Sequence, residues 1–270
     1  MFPSFFSLGP VTIYLYGATF ALAIFAGFLL AQKRAPAYKL KKEEVESLFF
    51  FVVPFGLFFA RLYHVFDFLS YYQQHPWEIL VVWQGGLGIF GGILGGVLGV
   101  WFWSWAKKRA FFAICDFLVP SLALGQAIGR WGNFFNQEAF GPPTNLPWKI
   151  FISPQNRPEF WSQFQYFHPL FLYESVLNFL NLLILILATK RLRSCAGGSI
   201  TALYFLIYGI TRFFIEFFRF DTAQIDGIKV AHVLSLGFVF AGLYFLKKKW
   251  YNSIRINPKS QFLNPKQIPN

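Results

Sequence analysis

Long stretches without a charged residue constrain this chain more than any other feature of its sequence. Residues 9–32 and 79–106 contain no Asp, Glu, Lys or Arg, and neither do residues 194–211 and 230–246. A helix needs about 20 mostly apolar residues to cross a membrane. Charged residues make up only 13% of the chain, so too few polar groups are present to cover a soluble globule. The sequence therefore predicts an integral membrane protein.

Seven membrane-spanning helices account for these stretches and for the apolar segments that a single charge interrupts. We predict an all-α membrane fold with helices near 10–31, 46–67, 81–105, 110–129, 169–189, 199–218 and 230–246. We expect residues 1–250 to form one membrane domain and the polar residues 251–270 to form a disordered cytoplasmic tail. Residues 130–168 are rich in Pro, Trp, Gln and Asn, which indicates an ordered cap on the outer face.

The net charge of +12 follows from the predicted orientation in the membrane. Most of the 24 basic residues lie in the alternate loops 33–42, 107–109 and 190–193 and in the tail after residue 246. The positive-inside rule places these segments in the cytoplasm and the N-terminus outside. Contact with anionic membrane lipid is therefore expected, and a nucleic-acid partner is not. The two cysteines belong to no CxxC or Cys/His cluster, so no metal site is expected.

A polar motif, GRWGNFFNQEAFG at residues 129–141, follows the fourth apolar segment. Arg130 and Asn133 are three residues apart, and Asn133 and Gln137 are four apart, so a helix would place them on one face. Together with Glu138 they could hold an anionic head group, because the guanidinium fork suits phosphate oxygens. The alternative is a polar cap where a helix ends at the membrane interface.

A second polar stripe lies in the sixth apolar segment. Its members are four, four and three residues apart: Tyr208, Arg212, Glu216 and Arg219. Charged residues within a membrane span are costly and usually face a polar interior, which indicates a functional site. The alternative is a structural ion pair between Arg212 and Glu216, although such a pair can also orient the arginine.

Glycines recur every three or four residues in the third apolar segment, at positions 85, 88, 92, 95 and 99. This spacing favours close packing between helices, with Gly85 and Gly86 available to line a cavity. His168, at the start of the fifth segment, is a candidate for proton transfer, although a lone interfacial His is more often structural. Tyr16, early in the first segment, is typical of an interfacial anchor.

The motif at 129–141 resembles the signature of bacterial prolipoprotein diacylglyceryl transferases, G-R-x-G-N-F-x-N-x-E-x-x-G, at every specified position. Further segments resemble the same family in the same order. They are LGPVTIYLYG at 8–17, WQGGLGIFGG at 83–92, HPLFLYE at 168–174 and YGITRFFIEFFR at 208–219. The resemblance therefore covers most of the chain and agrees with seven spans and an outer N-terminus.

The resemblance implies an enzyme of the bacterial plasma membrane. It would transfer the diacylglyceryl group of phosphatidylglycerol to the lipobox cysteine of a preprolipoprotein signal peptide and release glycerol phosphate, with no metal or diffusible cofactor. The implied catalytic residues are Arg130, Arg212, Glu138 and His168. The implied substrate-binding residues are Tyr16, Gly85, Gly86, Asn133, Asn136, Gly141, Tyr208, Glu216 and Arg219. In this scheme the catalytic arginines stabilise charge on the leaving phosphate, and Glu216 orients Arg212.

One position departs from the family pattern. The family often has a His just before the second Gly-Gly of the third segment, with a role in thiol activation, and this chain has Phe90 there. Phenylalanine cannot accept a proton, so another group is the base or no base is needed. A thiol with a pKa of about 8.5 is already partly ionised at neutral pH. The other candidate bases are His168, Glu138 and His232.

Three alternative functions stay open at the level of sequence. A multi-span transporter or binder of an anionic solute or lipid could use the intramembrane arginines, but seven spans do not divide into the halves of an inverted repeat. An intramembrane serine protease is disfavoured because no GxSxG occurs. An inactive binding relative is the third alternative, because Phe90 replaces the expected His.

Overall fold

The structure, a computed structural model, describes residues 5–8, 11–82, 85–192 and 197–256. Within these residues seven helices are long and apolar enough to cross a membrane, which confirms the predicted all-α membrane fold. The helices, of which only the short α3 is not a candidate span, are α1 (Leu15–Arg34), α2 (Lys42–Asp67), α3 (Leu69–Gln74), α4 (Ile89–Ala106), α5 (Phe111–Asn136), α6 (Leu170–Leu192), α7 (Ser199–Ile215) and α8 (Val230–Ile256).

Two of the spanning helices begin later than predicted. Strand β2 (Val11–Tyr14) precedes α1 and pairs with β1 (Phe5–Leu8) in an antiparallel hairpin, so the helix does not begin near residue 10. Helix α4 does not begin near residue 81, because Gly85 and Gly86 adopt φ angles of +97° and +73°. This left-handed backbone is open to glycine but incompatible with a helix. Apolar composition locates a span and does not define its backbone conformation.

Helix α5 is longer than predicted, and this changes the place of the polar motif. It continues to Asn136, so Arg130 and Asn133 lie on its last turns instead of in the outer loop. The helix ends because Gln137 takes a left-handed φ of +52°. The predicted tail also begins within a helix, since α8 extends to Ile256, and residues 257–270 lie outside the described residues. That residues 1–250 form one domain stays a prediction.

The chain separates into two compact units. The small unit is Phe28–Phe117, and the large unit combines Met1–Gly27 with Leu118–Asn270. In the small unit α4 packs closely on α2 through a stripe of glycines at positions 88, 91, 95 and 99. A Cβ atom on Gly91 would lie 2.1 Å from the carbonyl oxygen of Phe59. The predicted packing role is confirmed, but the stripe includes Gly91 and not Gly92.

Arg61 organises the chain that connects α2 to α4 in the small unit. The side chain is buried and donates from Nε to the carbonyl of Ile79 and from Nη1 to the carbonyls of Gly85 and Gly86, each over 2.9 Å, and Nη2 donates to the carbonyl of Glu78. Buried backbone oxygens need such donors, because leaving them unpaired is costly. Arg61 therefore stabilises the turn that precedes α4.

In the large unit, α5 contacts both α6 and α7 through polar groups. Ser175 on α6 donates to the carbonyl of Ala127 over 2.7 Å, and Tyr204 on α7 donates to the side-chain oxygen of Gln126 over 3.0 Å. Helix α8 packs against α7 at Gly209, where a Cβ would lie 2.7 Å from the carbonyl oxygen of Ser235. These contacts hold α5, α6 and α7 together and join α8 to α7.

The segment between α5 and α6 forms an ordered cap on the large unit. Strands β3 (Ile150–Phe151) and β4 (Tyr166–Phe167) pair antiparallel, and a small apolar core forms beside them from Phe140, Ile152 and Phe167. Ser153 donates its backbone N–H to the side-chain oxygen of Gln137 over 2.7 Å. Gln137 therefore supports the cap. The prediction from sequence spacing that Gln137 shares a helical face with Arg130 was wrong.

The membrane orientation stays a prediction and can be tested on the two ends of α6. Asn145 in the cap and Lys190 near the helix end are both exposed, and the 23 residues of α6 extend over about 35 Å. We expect an impermeant maleimide to label Asn145→Cys but not Lys190→Cys in intact cells, with Cys115 and Cys195 replaced by serine. Labelling of Lys190→Cys alone would contradict the orientation, and permeabilised cells provide the control.

Candidate functional site

A single buried carboxylate lies among three arginines in the large unit. Glu174, the fifth residue of α6, has only 6% of its side chain exposed. Its Oε2 lies 2.5 Å from Nη2 of Arg130 on α5. Its Oε1 lies 3.7 Å from Nη1 of Arg212 on α7 and 3.4 Å from Nη1 of Arg219, which follows α7. The structure thus brings together three arginines that the sequence had placed in two separate motifs.

Arg212 and Arg219 each have a further acidic partner. Nη2 of Arg212 lies 2.7 Å from Oε2 of the fully buried Glu216, as the spacing of four predicted. Arg219 donates from Nε and Nη2 to the two carboxylate oxygens of Asp221 over 3.1 and 3.0 Å. Burial alone would lower the pKa of Arg219, but the charges of Asp221, Glu174 and Glu216 outweigh burial and raise it above its ordinary value. Arg219 therefore stays charged.

The arginines also have unused hydrogen-bonding capacity. Among the described residues, the buried Nη1 of Arg212 has no hydrogen-bond partner. Arg212 lines a small pocket together with Tyr208 and Thr211, and Glu174 lies on the same pocket. A buried donor left unpaired is costly, which makes this atom suited to receive an acceptor from a ligand.

The motif residues extend the arginine cluster along the end of α5. Nη1 of Arg130 lies 3.5 Å from Oδ1 of Asn133, whose Nδ2 donates to Oε1 of Glu138 over 2.8 Å. Glu138 is exposed, as is Asn136 at the last helical position. The chain of groups from Arg130 to Glu138 therefore runs from the buried cluster to an open surface.

Two glycines of the motif make room for other site residues. A Cβ on Gly132 would lie 2.9 Å from the ring of Tyr16, so only glycine lets this tyrosine pack against α5. A Cβ on Gly141 would lie 2.9 Å from the Cβ of His168, and the Gly141 N–H donates to the His168 carbonyl over 3.0 Å. Gly132 and Gly141 are therefore required by the close approach of the Tyr16 and His168 side chains, whereas a Cβ on Gly129 would meet no atom within 4 Å.

His168 is held by two aromatic side chains. Trp148 donates from Nε1 to the Tyr173 hydroxyl oxygen over 2.8 Å, and that oxygen lies 3.1 Å from Nδ1 of His168. The Tyr173 hydroxyl can donate to Nδ1 while its oxygen accepts from Trp148, and a neutral His168 then carries its ring proton on Nε2. Burial lowers the pKa of His168 below its ordinary value, which favours this neutral form. His168 in this state presents a hydrogen-bond donor at Nε2.

The contacts of the remaining predicted residues are with other groups. Gly85, Gly86 and Phe90 belong to the small unit, where the two glycine carbonyls accept from Arg61. His232 on α8 packs between the rings of Phe213 and Phe217, with centroid distances of 4.9 and 4.7 Å. Its buried Nε2 has no hydrogen-bond partner within the described residues. The catalytic roles of these residues, like those of the clustered ones, stay predictions.

Two members of the site were not assigned to it from the sequence. Glu174 is part of the family-like segment at 168–174 but was given no role, and its three arginine partners are 38, 44 and 45 residues away, too far for any helical spacing. Lys229 donates from Nζ to the carbonyl of Glu216 over 2.7 Å and also to the carbonyl of Arg219. A positive group at these carbonyls stabilises the end of α7 and the turn that follows it.

Fold and site together define a class: a multi-span membrane protein whose helices enclose a cluster of arginines and carboxylates beneath an ordered cap. The sequence profile of the prolipoprotein diacylglyceryl transferase family matches residues 3–247. The chain belongs to this family.

Similar proteins named phosphatidylglycerol–prolipoprotein diacylglyceryl transferase occur in several cyanobacteria. The Acaryochloris marina protein is 41% identical over 252 residues, which cover 91% of this chain and 92% of that protein. The Gloeobacter violaceus protein is 39% identical, with 92% and 93% of the two chains covered. The Prochlorococcus marinus (strain NATL1A) protein is 38% identical, with 96% of each chain covered. The similarity therefore extends over almost the whole length of each protein.

Proposed function

We propose that the chain transfers the diacylglyceryl group of phosphatidylglycerol to the lipobox cysteine of preprolipoproteins and releases glycerol phosphate. Family membership and the names of relatives along nearly the full chain support this activity. The observation that carries it is the convergence of Arg130, Arg212 and Arg219 on one buried position inside a membrane protein. The seven apolar helices and the bacterial relatives support a multi-pass protein of the inner membrane. A transporter of an anionic solute is not favoured.

The transfer reaction builds up negative charge on the phosphate that leaves. The thiolate sulfur attacks the glyceryl carbon that carries the phosphate ester, the S–C bond forms, and the C–O bond breaks. The electron pair stays on the phosphate oxygen, so a diester with one negative charge becomes a monoester with about two at neutral pH. Guanidinium groups already in place at that phosphate lower the barrier, because they bind the transition state more strongly than the substrate.

We assign Arg130 and Arg212 to the phosphate and their neighbours to its orientation. Arg130 supplies a fork of donors, and Arg212 supplies Nη1, which lies 3.7 Å from Oε1 of Glu174 and makes no hydrogen bond within the described residues. Glu216 fixes Arg212 at 2.7 Å, and Asn133 links Arg130 to Glu138. Asn136, Tyr16, Tyr208 and Arg219 complete the head-group contacts in this proposal, and His168 offers Nε2–H as a donor.

The direct test is a transfer assay with purified protein in detergent micelles. We expect label from diacylglyceryl-labelled phosphatidylglycerol to appear on a lipobox peptide, but not on the same peptide with its cysteine replaced by serine. Phosphatidylethanolamine as the only lipid provides a head-group control. Folded protein that binds both substrates without transferring label would identify an inactive binding relative instead of a transferase.

Phe90 tests whether this chain lacks a necessary base. Its ring is 54% exposed on α4, and the ring of Tyr63 lies 5.9 Å away. We expect Phe90→His to leave the rate unchanged or lower it, because the substitution places a polar ring where it has no assured partner. The measurement is the initial transfer rate from about pH 6 to 9, at equal amounts of folded protein.

A gain in transfer rate for Phe90→His would contradict this expectation and would have a specific pH dependence. A histidine base would help most at the acidic end of this range, where little thiolate forms unaided. A clear gain in rate there for Phe90→His, absent at the alkaline end, would show that thiol activation limits the unmodified protein. Phe90→Leu is the matched control, because it changes the ring without introducing a proton acceptor.

A further inference from the structure

Glu174 has no role in the proposed substrate contacts, although its carboxylate lies at the centre of the arginine cluster. Its two oxygens face guanidinium groups from three separate segments of the large unit, at 2.5, 3.4 and 3.7 Å. A carboxylate so buried would be costly if it were not paired. The Glu174 carboxylate therefore occupies the arginines to which the proposed function assigns another anion, the phosphate of the lipid head group.

The three arginines depend on Glu174 to different degrees. Arg212 retains Glu216 and Arg219 retains Asp221 if the contact with Glu174 is lost. Arg130 has no other carboxylate within 4 Å among the described residues, and its contact with Asn133 is long, at 3.5 Å. Arg130 is therefore the arginine for which Glu174 is the main counter-ion, and it is also the one nearest to Glu174.

We propose that Glu174 is a positioning residue that competes with the phosphate for the three arginines, above all for Arg130. The inference rests on the proposed function. In the lipid-free enzyme the carboxylate keeps the guanidinium groups neutralised and aligned. When the phosphate binds, it accepts from Arg130 in place of Glu174, because carboxylate and phosphate oxygens bind the same guanidinium fork. Glu174 keeps its contacts with Arg212 and Arg219.

The competition has a consequence for the product. Glycerol phosphate carries more negative charge than the diester from which it forms, so the arginines would retain it strongly. A carboxylate held beside it opposes this retention, since like charges in contact at a desolvated site repel each other. Glu174 thus limits the affinity of the site for the leaving group and allows it to depart, at the same time as it aligns the arginines.

The test is direct binding of glycerol phosphate to the purified protein in micelles without phosphatidylglycerol. We expect Glu174→Gln, which keeps the size of the side chain and removes its charge, to bind glycerol phosphate at least about tenfold more tightly than the unmodified protein. Turnover should fall at the same time, with product inhibition at lower concentration. Glu174→Asp keeps the charge and should stay within about threefold of the unmodified affinity.

If Glu174 had only a structural role, the affinity of Glu174→Gln for glycerol phosphate would change in the opposite direction. If the residue only maintains the fold, loss of its charge would disorder the arginines and weaken glycerol phosphate binding in Glu174→Gln. Unchanged or weaker binding therefore overturns the proposal. Should the single variant not fold, the double variant Glu174→Gln with Arg219→Gln is compared with Arg219→Gln alone, because the two differ only in the carboxylate that competes for Arg130, and the double variant should again bind glycerol phosphate more tightly.

Failure of the proposed function would have a different signature. The binding measurement needs no lipid, no peptide and no turnover, so it reports on the arginines alone. A protein that transfers no diacylglyceryl group but shows tighter binding in Glu174→Gln would refute the activity and retain the competition. A protein that transfers normally and shows no gain in affinity would retain the activity and refute the competition.

Discussion

Replacing Arg130 by lysine should lower the rate of diacylglyceryl transfer at least about tenfold, which corresponds to ~1.4 kcal/mol of lost transition-state stabilisation. Lysine keeps the positive charge but loses the planar fork. The guanidinium of Arg130 lies on Glu174 at 2.5 Å and reaches Asn133 at 3.5 Å with a second nitrogen. A single ammonium cannot serve both directions. The loss should appear in kcat/KM of the transfer assay.

Arg109→Lys is the matched control for this experiment. Arg109 also binds a carboxylate with its fork, since Nε and Nη2 donate to Glu44 over 3.1 and 2.7 Å, but it lies in the small unit and outside the proposed site. We expect its transfer rate to match the unmodified protein. Near-normal turnover of Arg130→Lys would show that Arg130 only neutralises Glu174.

The second large effect concerns the glycine stripe between α2 and α4. We expect Gly91→Ala to lower the stability of the folded protein by about 1–3 kcal/mol, the usual cost of overpacking. The new Cβ would lie 2.1 Å from the carbonyl oxygen of Phe59 and 2.6 Å from the Cβ of Tyr63, and neither the backbone nor a Cβ can move without shifting the helix. Thermal unfolding in micelles measures the effect.

Gly96→Ala on the same helix provides the comparison. A Cβ at Gly96 meets no atom within 4 Å, and alanine is a better helix former than glycine by up to about 1 kcal/mol. The variant should therefore be as stable as the unmodified protein or slightly more stable. Equal destabilisation of both variants would mean that a general property of α4, and not its contact with α2, explains the loss.

The same glycines show how far a sequence pattern can be taken. Their spacing of three and four residues predicted a packing face, and α4 does pack on α2. Three of the five predicted positions, Gly88, Gly95 and Gly99, lie against α2, and Gly91 completes the stripe where Gly92 makes only an ordinary contact at 3.7 Å. The fifth predicted position, Gly85, takes a left-handed φ of +97° before the helix begins at Ile89. A period is a property of a regular helix and cannot be extended to the irregular backbone before it.

Pairs that are close in sequence were predicted correctly where the helix is regular. Arg130–Asn133 in the motif at 129–141 and Arg212–Glu216 in the polar stripe of the sixth apolar segment follow from helical spacing alone, and both are present in the structure. Gln137 was misplaced, since the spacing of four assumes a helix that has already ended at Asn136. Short-range geometry is reliable only while the backbone stays regular, and a helix end is determined by its caps.

Span number and membrane character were determined by the sequence itself, because the need for about 20 apolar residues per crossing is local and independent of partners. The composition of the site was determined only by the tertiary structure. Glu174 is 44 residues from Arg130, 38 from Arg212 and 45 from Arg219 in the chain. Their contact depends on how α5, α6 and α7 pack. A buried charge is stable only beside its counter-charges, so helix packing decided that one carboxylate would hold all three arginines.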